Sequence, residues 1–440
     1  MTDPLDRILQ PPEIDPLAPP AGHFDEIVRR ARSRRHRRAA AATGLLTAAV
    51  VAGAVVGTSL LVAPTAGHAP ANTASPSVTA SGPPPAPGPS TPAPTGSTGA
   101  TRLPGSLGTG PVPAHFTPWS VSSVSAQVSF VLGDAPCSRP PCTSLVVTGD
   151  GGRTWHGLPA PRAALLLNRF GGLPSKYVSE VRFANLSDGW VFGGGLYATH
   201  DGGRHWRDVG LSSLTVQQLE TDGQTAYAVA ATCSVTDSVC RDYRLYQAAA
   251  GSDTWRAVPG IGPQSSLDLA LSGRRGILAS ASGLWVRTGG GWQRRNAVPC
   301  PAGAGPVSAS ASGNRLFAFC GEGAAGSLYL SPWASDDNGA SWVKVADGSA
   351  RATNGHVSVA AASATLVLVG SANPDLGGSV LRSSDGGRTF AGSGLPRLSD
   401  GWWYVGARTA TSLVALPGRP DGSIWTSRDS GRTWQAYRFR

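Results

Sequence analysis

A turn sequence recurs along the C-terminal three quarters of the chain. Clear copies occupy 148–155, 199–206, 335–342, 383–390 and 427–434, the first reading Thr-Gly-Asp-Gly-Gly-Arg-Thr-Trp. We call each copy an Asp turn. Where no copy is missing, the closing aromatics are 44 to 51 residues apart. Self-similarity at a period of tens of residues indicates a repeat architecture built from one small structural unit.

One interval in this series is too long for a single unit. The closing aromatics Trp206 and Trp342 are 136 residues apart, which leaves room for two further copies. Both are present in decayed form. Residues 252–255 keep the closing Thr-Trp at Trp255, and residues 289–292 keep the glycines and end in Trp292. The sequence therefore predicts seven units.

Each unit has the same internal order of strand and turn signals. The second unit shows it as Val178–Phe183, a turn at Asn185–Gly189, then Trp190–Gly193 and Leu196–Thr199, which leads into the Asp turn. Short runs of Val, Phe, Tyr and Trp bounded by Gly, Asp, Asn and Ser indicate strands. Four short antiparallel strands per unit, repeated radially, are typical of a β-propeller. The predicted fold class is therefore all-β, a seven-bladed β-propeller.

The turn sequence also carries a family resemblance. The pattern Ser/Thr-x-Asp-x-Gly-x-Thr-Trp resembles the Asp-box, or BNR repeat, of sialidase-like β-propellers. The element Gly189–Gly193 is similar to that of propellers of the photosystem II assembly factor type. The resemblance covers about residues 116–440. It implies that the Asp turns lie at the outer rim, away from the face that binds a substrate.

The acids of the Asp turns are interpreted as structural. A short acid and a hydroxyl can hydrogen-bond the backbone N–H groups of their own turn, and Gly tolerates positive φ there. Equivalent acids in every unit point to a shared folding device rather than to repeated active sites. Calcium binding is an alternative, but one acid per turn supplies few oxygens. The residues assigned to this role are Asp150, Gly152, Trp155, Asp201, Gly203, Trp206, Asp337, Gly339, Trp342, Asp385, Gly387, Phe390, Asp429, Gly431 and Trp434.

The chain before the propeller divides into three segments by composition. Residues 1–38 form a predicted cytoplasmic segment that is rich in Arg near its end, and residues 39–63 contain no charge. An uncharged apolar stretch of that length predicts a transmembrane helix, and the preceding arginines place the N-terminus in the cytoplasm. Residues 64–113 are rich in Pro, Ala, Ser and Thr and predict an extended linker to the propeller at 114–440. The basic run adjoins the membrane segment, so we do not assign it to nucleic acid.

Cleavage of the apolar segment is the alternative to a retained anchor. Ser33–Arg35 resembles a twin-arginine export signal, and Ala66–Ala69 offers small residues to a peptidase. However, further basic residues follow the arginine pair, and Pro70 comes directly after the candidate cleavage point. The favoured localisation is the cell membrane, with a single span and an extracytoplasmic propeller.

All six cysteines follow the predicted span and occur as near neighbours. Paired cysteines at short spacing are typical of an oxidising compartment. No His clusters with them, so we predict disulfides rather than a metal site. The pairs inferred from proximity are Cys137 with Cys142, Cys233 with Cys240, and Cys300 with Cys320.

The resemblance to sialidases implies an enzyme, but the residues needed for that chemistry are not found in the sequence. The family's Phe/Tyr-Arg-Ile-Pro motif is absent, and neither Arg182–Phe183 nor the C-terminal 437–440 is equivalent to it. A glycosidase needs a pair of facing carboxylates. The acids outside the Asp turns have no recognisable motif around them. Those considered are Glu180, Glu220, Glu322, Asp222, Asp268 and Asp400.

The favoured function is a non-catalytic binding or scaffolding module for a protein or a cell-envelope glycan. A glycoside hydrolase is the alternative. No cofactor, metal or catalytic residue is assigned. The net charge of +10 fits a preference for anionic polymers and equally a solvated surface. Candidate contact residues are Lys176–Tyr177 and Trp402–Tyr404, although packing between blades is the favoured interpretation of the second group.

Overall fold

The computed structural model describes residues 108, 110–166, 177–211, 213–234, 239–300, 305–309, 314–322, 328–352, 355–373, 376–419 and 421–440. The predicted cytoplasmic segment, transmembrane helix and nearly all of the linker lie outside these residues, as does Lys176. No helix in the described part is long and apolar enough to cross a membrane.

Seven antiparallel sheets form the body of the described chain, each built on four consecutive strands, and the prediction of seven units is confirmed. Each sheet is one blade, formed by consecutive strands paired in chain order. The strands are Thr117–Ser123, Ser129–Asp134, Thr143–Thr148 and His156–Leu158 in blade 1; Glu180–Phe183, Gly189–Phe192, Leu196–Thr199 and Arg207–Asp208 in blade 2; Thr215–Thr221, Thr225–Cys233, Cys240–Ala249 and Arg256–Ala257 in blade 3; Asp268–Ser272, Arg275–Ser280, Gly283–Thr288 and Trp292–Arg295 in blade 4; Val307–Ala309, Leu316–Glu322, Leu328–Ser335 and Val343–Lys344 in blade 5; His356–Ala361, Val367–Ala372, Val380–Ser383 and Ala391–Gly392 in blade 6; Trp402–Ala407, Leu413–Pro417, Ser423–Ser427 and Gln435–Arg438 in blade 7.

Three short strands lie outside this regular plan. Ala164–Leu165 and Tyr177–Val178 pair in parallel between blades 1 and 2. Ala350–Ala352 pairs with the start of the third strand of blade 5. The decayed units that end in Trp255 and Trp292 correspond to blades 3 and 4, so a blade forms there without the acid of the Asp turn.

The hydrophobic core is a ring of seven clusters, one between each pair of neighbouring blades. Successive side chains of a strand point to opposite faces of its sheet. In the second strand of blade 1, Phe130 and Leu132 therefore pack towards blade 2, while Val131 packs towards blade 7. Because both faces are covered, these strands are apolar on both sides, unlike the strands of a sheet with one solvated face.

The ring closes by packing of blade 7 on blade 1. Phe116, just before the first strand, is fully buried, and its ring lies edge-on to Phe439 at 4.9 Å between centroids. Trp155 lies 5.4 Å from the same Phe439 ring. All four strands of each of these two blades come from one continuous segment. Closure therefore depends on side chains and not on a blade that combines strands from both ends of the chain.

The two ends of the ring can be told apart by the strand directions. Neighbouring strands are antiparallel, so the turn between the third and fourth strands lies at the same end as the turn between the first and second. The backbone contacts agree, because Gly151 N–H donates to Gln127 at 2.8 Å and Gly386 N–H to Thr365 at 2.8 Å. We call this end, which carries the Asp turns, the lower face. The upper face is the end where the first strands begin.

Candidate functional site

In the Asp turn of blade 1, the carboxylate of Asp150 accepts hydrogen bonds from the turn's own donors. They come from the Arg153 and Thr154 N–H groups at 2.8 and 3.0 Å, and from the Thr148 and Thr154 hydroxyls at 2.9 and 2.6 Å. Gly152, at φ +92°, completes the turn in a backbone conformation that favours glycine. The acids of blades 2, 5, 6 and 7 accept corresponding bonds.

The aromatic residue that closes each Asp turn packs towards the preceding blade. The Trp206 indole N–H donates to the Pro159 carbonyl of blade 1 at 3.0 Å, and the Trp434 N–H donates to the Ser393 carbonyl of blade 6 at 2.8 Å. Trp155 belongs to the core cluster between blades 7 and 1. These aromatics therefore connect blades, as well as covering the sheet that carries them.

The pKa of each of these five acids is lowered to about 2. For Asp385, burial favours the neutral form, but hydrogen bonds from Thr389 and Ser383 outweigh it. An acid whose pKa is lowered in the folded state stabilises that state above its unfolded pKa, here about 3.8, and loses the effect as the pH falls through its folded pKa. The window for these acids therefore lies between about pH 4 and pH 2.

We expect the free energy of unfolding to fall across this window, and to fall less steeply in Asp385→Asn, which removes one titrating group from the set. Denaturant unfolding measured in steps from pH 5 to pH 2 would test this. Asp242→Asn, which removes an exposed carboxylate outside the turns, is the control for the change in net charge. Equal slopes for Asp385→Asn and wild type would contradict the expectation.

The first strand of every blade lines the centre of the ring, which we call the channel. The channel widens into an upper cavity of about 400 Å³ and a lower cavity of about 310 Å³. Both cavities are bordered by Arg182, Glu220 and Tyr404, which form the waist of the channel. The Asp-turn acids do not line either cavity.

Side chains of the first strands connect neighbouring blades around the channel. Ser120 and Ser122 accept hydrogen bonds from the Val181 and Phe183 N–H groups of blade 2 at 3.1 and 2.8 Å. Further bonds of this type join blades 3 to 4, 4 to 5, 5 to 6 and 6 to 7, with acceptors Gln218, Asp268, Ser308 and Ser358. Polar residues in these strands thus satisfy backbone groups that face the channel.

The waist contains an ion pair. Arg182 Nη2 donates to Glu220 Oε1 at 2.8 Å, and Arg182 Nε donates to the Leu219 carbonyl at 3.1 Å. Tyr404 borders the same waist and lies close enough to interact with the guanidinium. Burial raises the pKa of Glu220; Arg182 opposes that rise, and the charge of Glu180 adds to it. The pKa of Tyr404 is also raised by burial.

The upper cavity combines acids with aromatic rings. Glu180 accepts a hydrogen bond from the Ser120 hydroxyl at 2.6 Å, and both oxygens of Asp268 are hydrogen-bonded, by Gln218 and by the Val307 N–H. The rings of His356 and Trp403 stack at 3.8 Å between centroids with an interplanar angle of 12°. Trp403 is half-buried and borders the cavity.

The other candidate residues from the sequence lie in different parts of the fold. Trp402 is fully buried between blades 6 and 7, in line with the packing interpretation, whereas Trp403 and Tyr404 border the channel. Tyr177 lies in the short parallel pair. Asp222 pairs with Arg287 at 2.7 Å outside both cavities.

The three predicted disulfides are confirmed, and all lie towards the upper face. Cys137–Cys142 and Cys233–Cys240 each close the hairpin between the second and third strands of their blade, in blades 1 and 3. Cys300–Cys320 ties the connection between blades 4 and 5 to the second strand of blade 5. The lower turns are therefore held by acids, and the upper loops by covalent bonds.

Comparison with known proteins adds no assigned function. No protein-family model and no curated protein matches the chain. Among solved structures it is similar to YCF48 bound to D1 peptide, with 18% identity over 72% of this chain and 93% of that chain, and a TM-score of 0.44. YCF48 from Cyanidioschyzon merolae shows 16% identity over 72% and 97%, with a TM-score of 0.45. A GH74 xyloglucanase from Xanthomonas campestris shows 14% identity over 72% and 72%, with a TM-score of 0.37.

Proposed function

We propose that the protein is a membrane-anchored, extracytoplasmic and non-catalytic binding module that engages a protein or a cell-envelope glycan with its upper face. The observation that carries this proposal is the placement of all three disulfides towards the same face as the aromatic and acidic mouth of the channel. Loops fixed before a partner arrives lose less conformational entropy on binding, which favours affinity.

The bonding of the channel acids supports a binding role over catalysis. Asp268 accepts hydrogen bonds on both carboxylate oxygens, from a group of blade 3 and a group of blade 5. Glu220 forms an ion pair with Arg182. Glu180 accepts a bond from Ser120. A general acid or base must reach the proton that it transfers, and a nucleophile must be open to attack. Carboxylates that join inner strands are better suited to fixing the shape of the mouth.

The stacked pair Trp403 and His356 is the proposed contact surface. Aromatic side chains at the centre of an interface contribute much of the binding energy. We expect Trp403→Ala to weaken binding by about tenfold or more, a loss typical of such central aromatics. The assay is a pull-down of full-length protein in detergent micelles with cell-wall fractions and a glycan array, followed by titration of the ligand found.

Val343→Ala is the control for this measurement, because Val343 is 68% exposed and begins the outermost strand of blade 5 at its lower end. It should bind as wild type does. Equal affinity for wild type and Trp403→Ala would place the contact surface elsewhere. Loss of binding in Val343→Ala to the same degree would point to the lower rim instead.

The localisation is part of the proposal and rests on the cysteines and on the uncharged stretch at 39–63. Three disulfides and no free cysteine in the described part of the chain suit an oxidising compartment. Membrane and medium fractions should be compared by immunoblot. Retention in the membrane fraction is expected, and quantitative release into the medium would show that the segment is cleaved.

We also propose that the Asp turns are Asp-box turns of the BNR type, with a structural role. The supporting observation is the recurring carboxylate that receives the hydrogen bonds of its own turn in five blades. Their position at the lower face separates them from the upper mouth.

A glycoside hydrolase is the second candidate, and one observation favours it. Tyr404 lies beside Arg182 at the waist, close to the charges of Glu220 and Glu180. A tyrosine beside carboxylates and an arginine is the kind of group a retaining glycosidase with a Tyr nucleophile requires. A panel of chromogenic glycosides should be tested with wild type and Tyr404→Phe. Turnover that is lost in Tyr404→Phe would replace the binding proposal with the hydrolase.

A further inference from the structure

Arg408 lies at the lower mouth of the channel, between blade 7 and blade 1. It follows the first strand of blade 7 and lines the lower cavity. Its Nε donates to the Ser123 hydroxyl of blade 1 at 2.9 Å. Its Nη2 is buried and has no hydrogen-bond partner among the described residues. A buried guanidinium nitrogen without an acceptor is costly, because it has lost its water without gaining a protein partner.

No carboxylate in the described part of the chain pairs with Arg408. Glu220, an acid bordering the same cavity, is paired with Arg182. Arg428 lies close enough to repel Arg408, and burial together with that repulsion lowers the pKa of Arg408 to about 10. The lower mouth therefore holds a buried positive charge that nothing in the described residues balances.

Two serine hydroxyls of the same cavity are also left with a proton to donate. Ser122 and Ser308 each accept an N–H from the next blade, from Phe183 at 2.8 Å and Ala361 at 2.9 Å. Neither hydroxyl donates to an acceptor among the described residues. A hydroxyl can accept and donate at the same time. The cavity thus offers a cation and hydroxyl donors, which is the polarity that an anion requires.

We propose that the lower cavity is a binding site for a small organic carboxylate, with Arg408 as its ion-pair partner. A guanidinium carries a permanent positive charge and several N–H donors, which favour a carboxylate as its partner. One unbalanced cation neutralises a single negative charge, whereas a phosphate dianion would bring a second charge into a buried site without compensation. The volume of about 310 Å³ is in the range of small-molecule sites. This site is independent of the partner proposed for the upper face.

The test is direct binding of acetate to the full-length protein in detergent micelles at pH 7. Line broadening of carbon-13-labelled acetate measures the affinity, with acetamide as the uncharged probe of the same shape. We expect acetate to bind and acetamide not to bind. Arg408→Gln should weaken acetate binding by about tenfold or more, and Arg408→Lys should retain part of it, because it keeps the positive charge and loses the guanidinium group.

Arg428→Gln is the matched control. Arg428 also connects blade 7 to blade 1, because its Nη2 donates a hydrogen bond to the Gly151 carbonyl at 3.2 Å. The Arg428 side chain does not line the cavity. Because its charge acts on Arg408 from outside the cavity, we expect Arg428→Gln to lose much less acetate affinity than Arg408→Gln. Circular dichroism would show that the variants are folded, and the comparison of acetate with acetamide in wild type needs no variant.

Three results would overturn the proposal. The first is the absence of acetate binding to wild type. The second is displacement of acetate by an equal concentration of chloride or sulfate, which would indicate an unselective anion site. The third is an equal loss of affinity in Arg408→Gln and Arg428→Gln, which would attribute the effect to a loosened blade interface.

Discussion

Replacing Phe116 with alanine is expected to lower the free energy of unfolding by about 3–5 kcal/mol, the range for removal of a fully buried aromatic ring. Phe116 has no exposed surface. Its ring packs on that of Phe439, with 4.9 Å between centroids, in the cluster that joins blade 7 to blade 1. Because no strand is shared between blades 1 and 7, the cavity left by the substitution weakens their closing interface directly. Denaturant unfolding followed by tryptophan fluorescence measures the change.

A double-mutant cycle with Phe439→Ala separates closure from general loss of packing. Aromatic pairs in contact show coupling of about 0.5–1.5 kcal/mol beyond their area burial. Phe183→Ala is the matched control, since it removes a ring from the interface of blades 1 and 2. Paired with Phe116→Ala, it should give additive losses. Additive losses in the Phe116 and Phe439 cycle would contradict the proposed closing contact.

Removing the disulfide between Cys300 and Cys320 is expected to have the second large effect. Cys300 and Cys320 are 20 residues apart in the sequence, and both are buried. On a chain-entropy estimate, a cross-link over a loop of that length contributes about 3 kcal/mol, compared with about 2 kcal/mol for the shorter loops. The double change Cys300→Ser and Cys320→Ser should therefore lower the unfolding midpoint more than the same change at Cys137 and Cys142.

The comparison of the two double variants is itself the control, because both remove one disulfide towards the upper face. Intact mass with and without reductant would verify that the remaining bonds are formed. Thermal unfolding without reductant gives the two midpoints. A larger loss at the Cys137 and Cys142 pair would show that loop length does not govern the contribution of these bonds.

The blades could be predicted from the sequence because the Asp turn is a local device. A carboxylate, a hydroxyl and a glycine within eight residues determine the turn, and the strands on both sides follow from their apolar runs. Even the two decayed units were recognisable from Trp255 and Trp292, since the aromatic that packs between blades persists where the acid does not.

The channel could not be predicted in the same way. Arg182, Glu220 and Tyr404 belong to three different blades, and no spacing in the sequence indicates that they meet at one waist. Polar residues in a first strand also look like the solvated side of an ordinary amphipathic strand. Asp268 has no motif around it in the sequence, whereas in the fold it holds neighbouring first strands together.

Ring closure was also beyond the sequence. Phe116 and Phe439 lie at opposite ends of the propeller sequence. Phe116 precedes the first strand of blade 1, Phe439 follows the last strand of blade 7, and neither residue belongs to a sequence motif. Their contact depends on the number of blades and on the curvature that those blades produce together. Arg408 illustrates the same limit, because the lack of an acceptor for its Nη2 among the described residues depends on the surfaces around it rather than on its sequence neighbours.

The continuous origin of every blade has a genetic consequence. Each blade is encoded by one uninterrupted stretch, and neighbours are joined by side chains instead of shared strands. A tandem duplication of one such stretch would therefore add a complete blade, with its own turn and its own contact surfaces. A propeller closed by a composite blade would need the two ends of its gene to change together. Here, gain or loss of a unit in the middle of the gene leaves the residues of the closing interface, Phe116 and Phe439, unchanged.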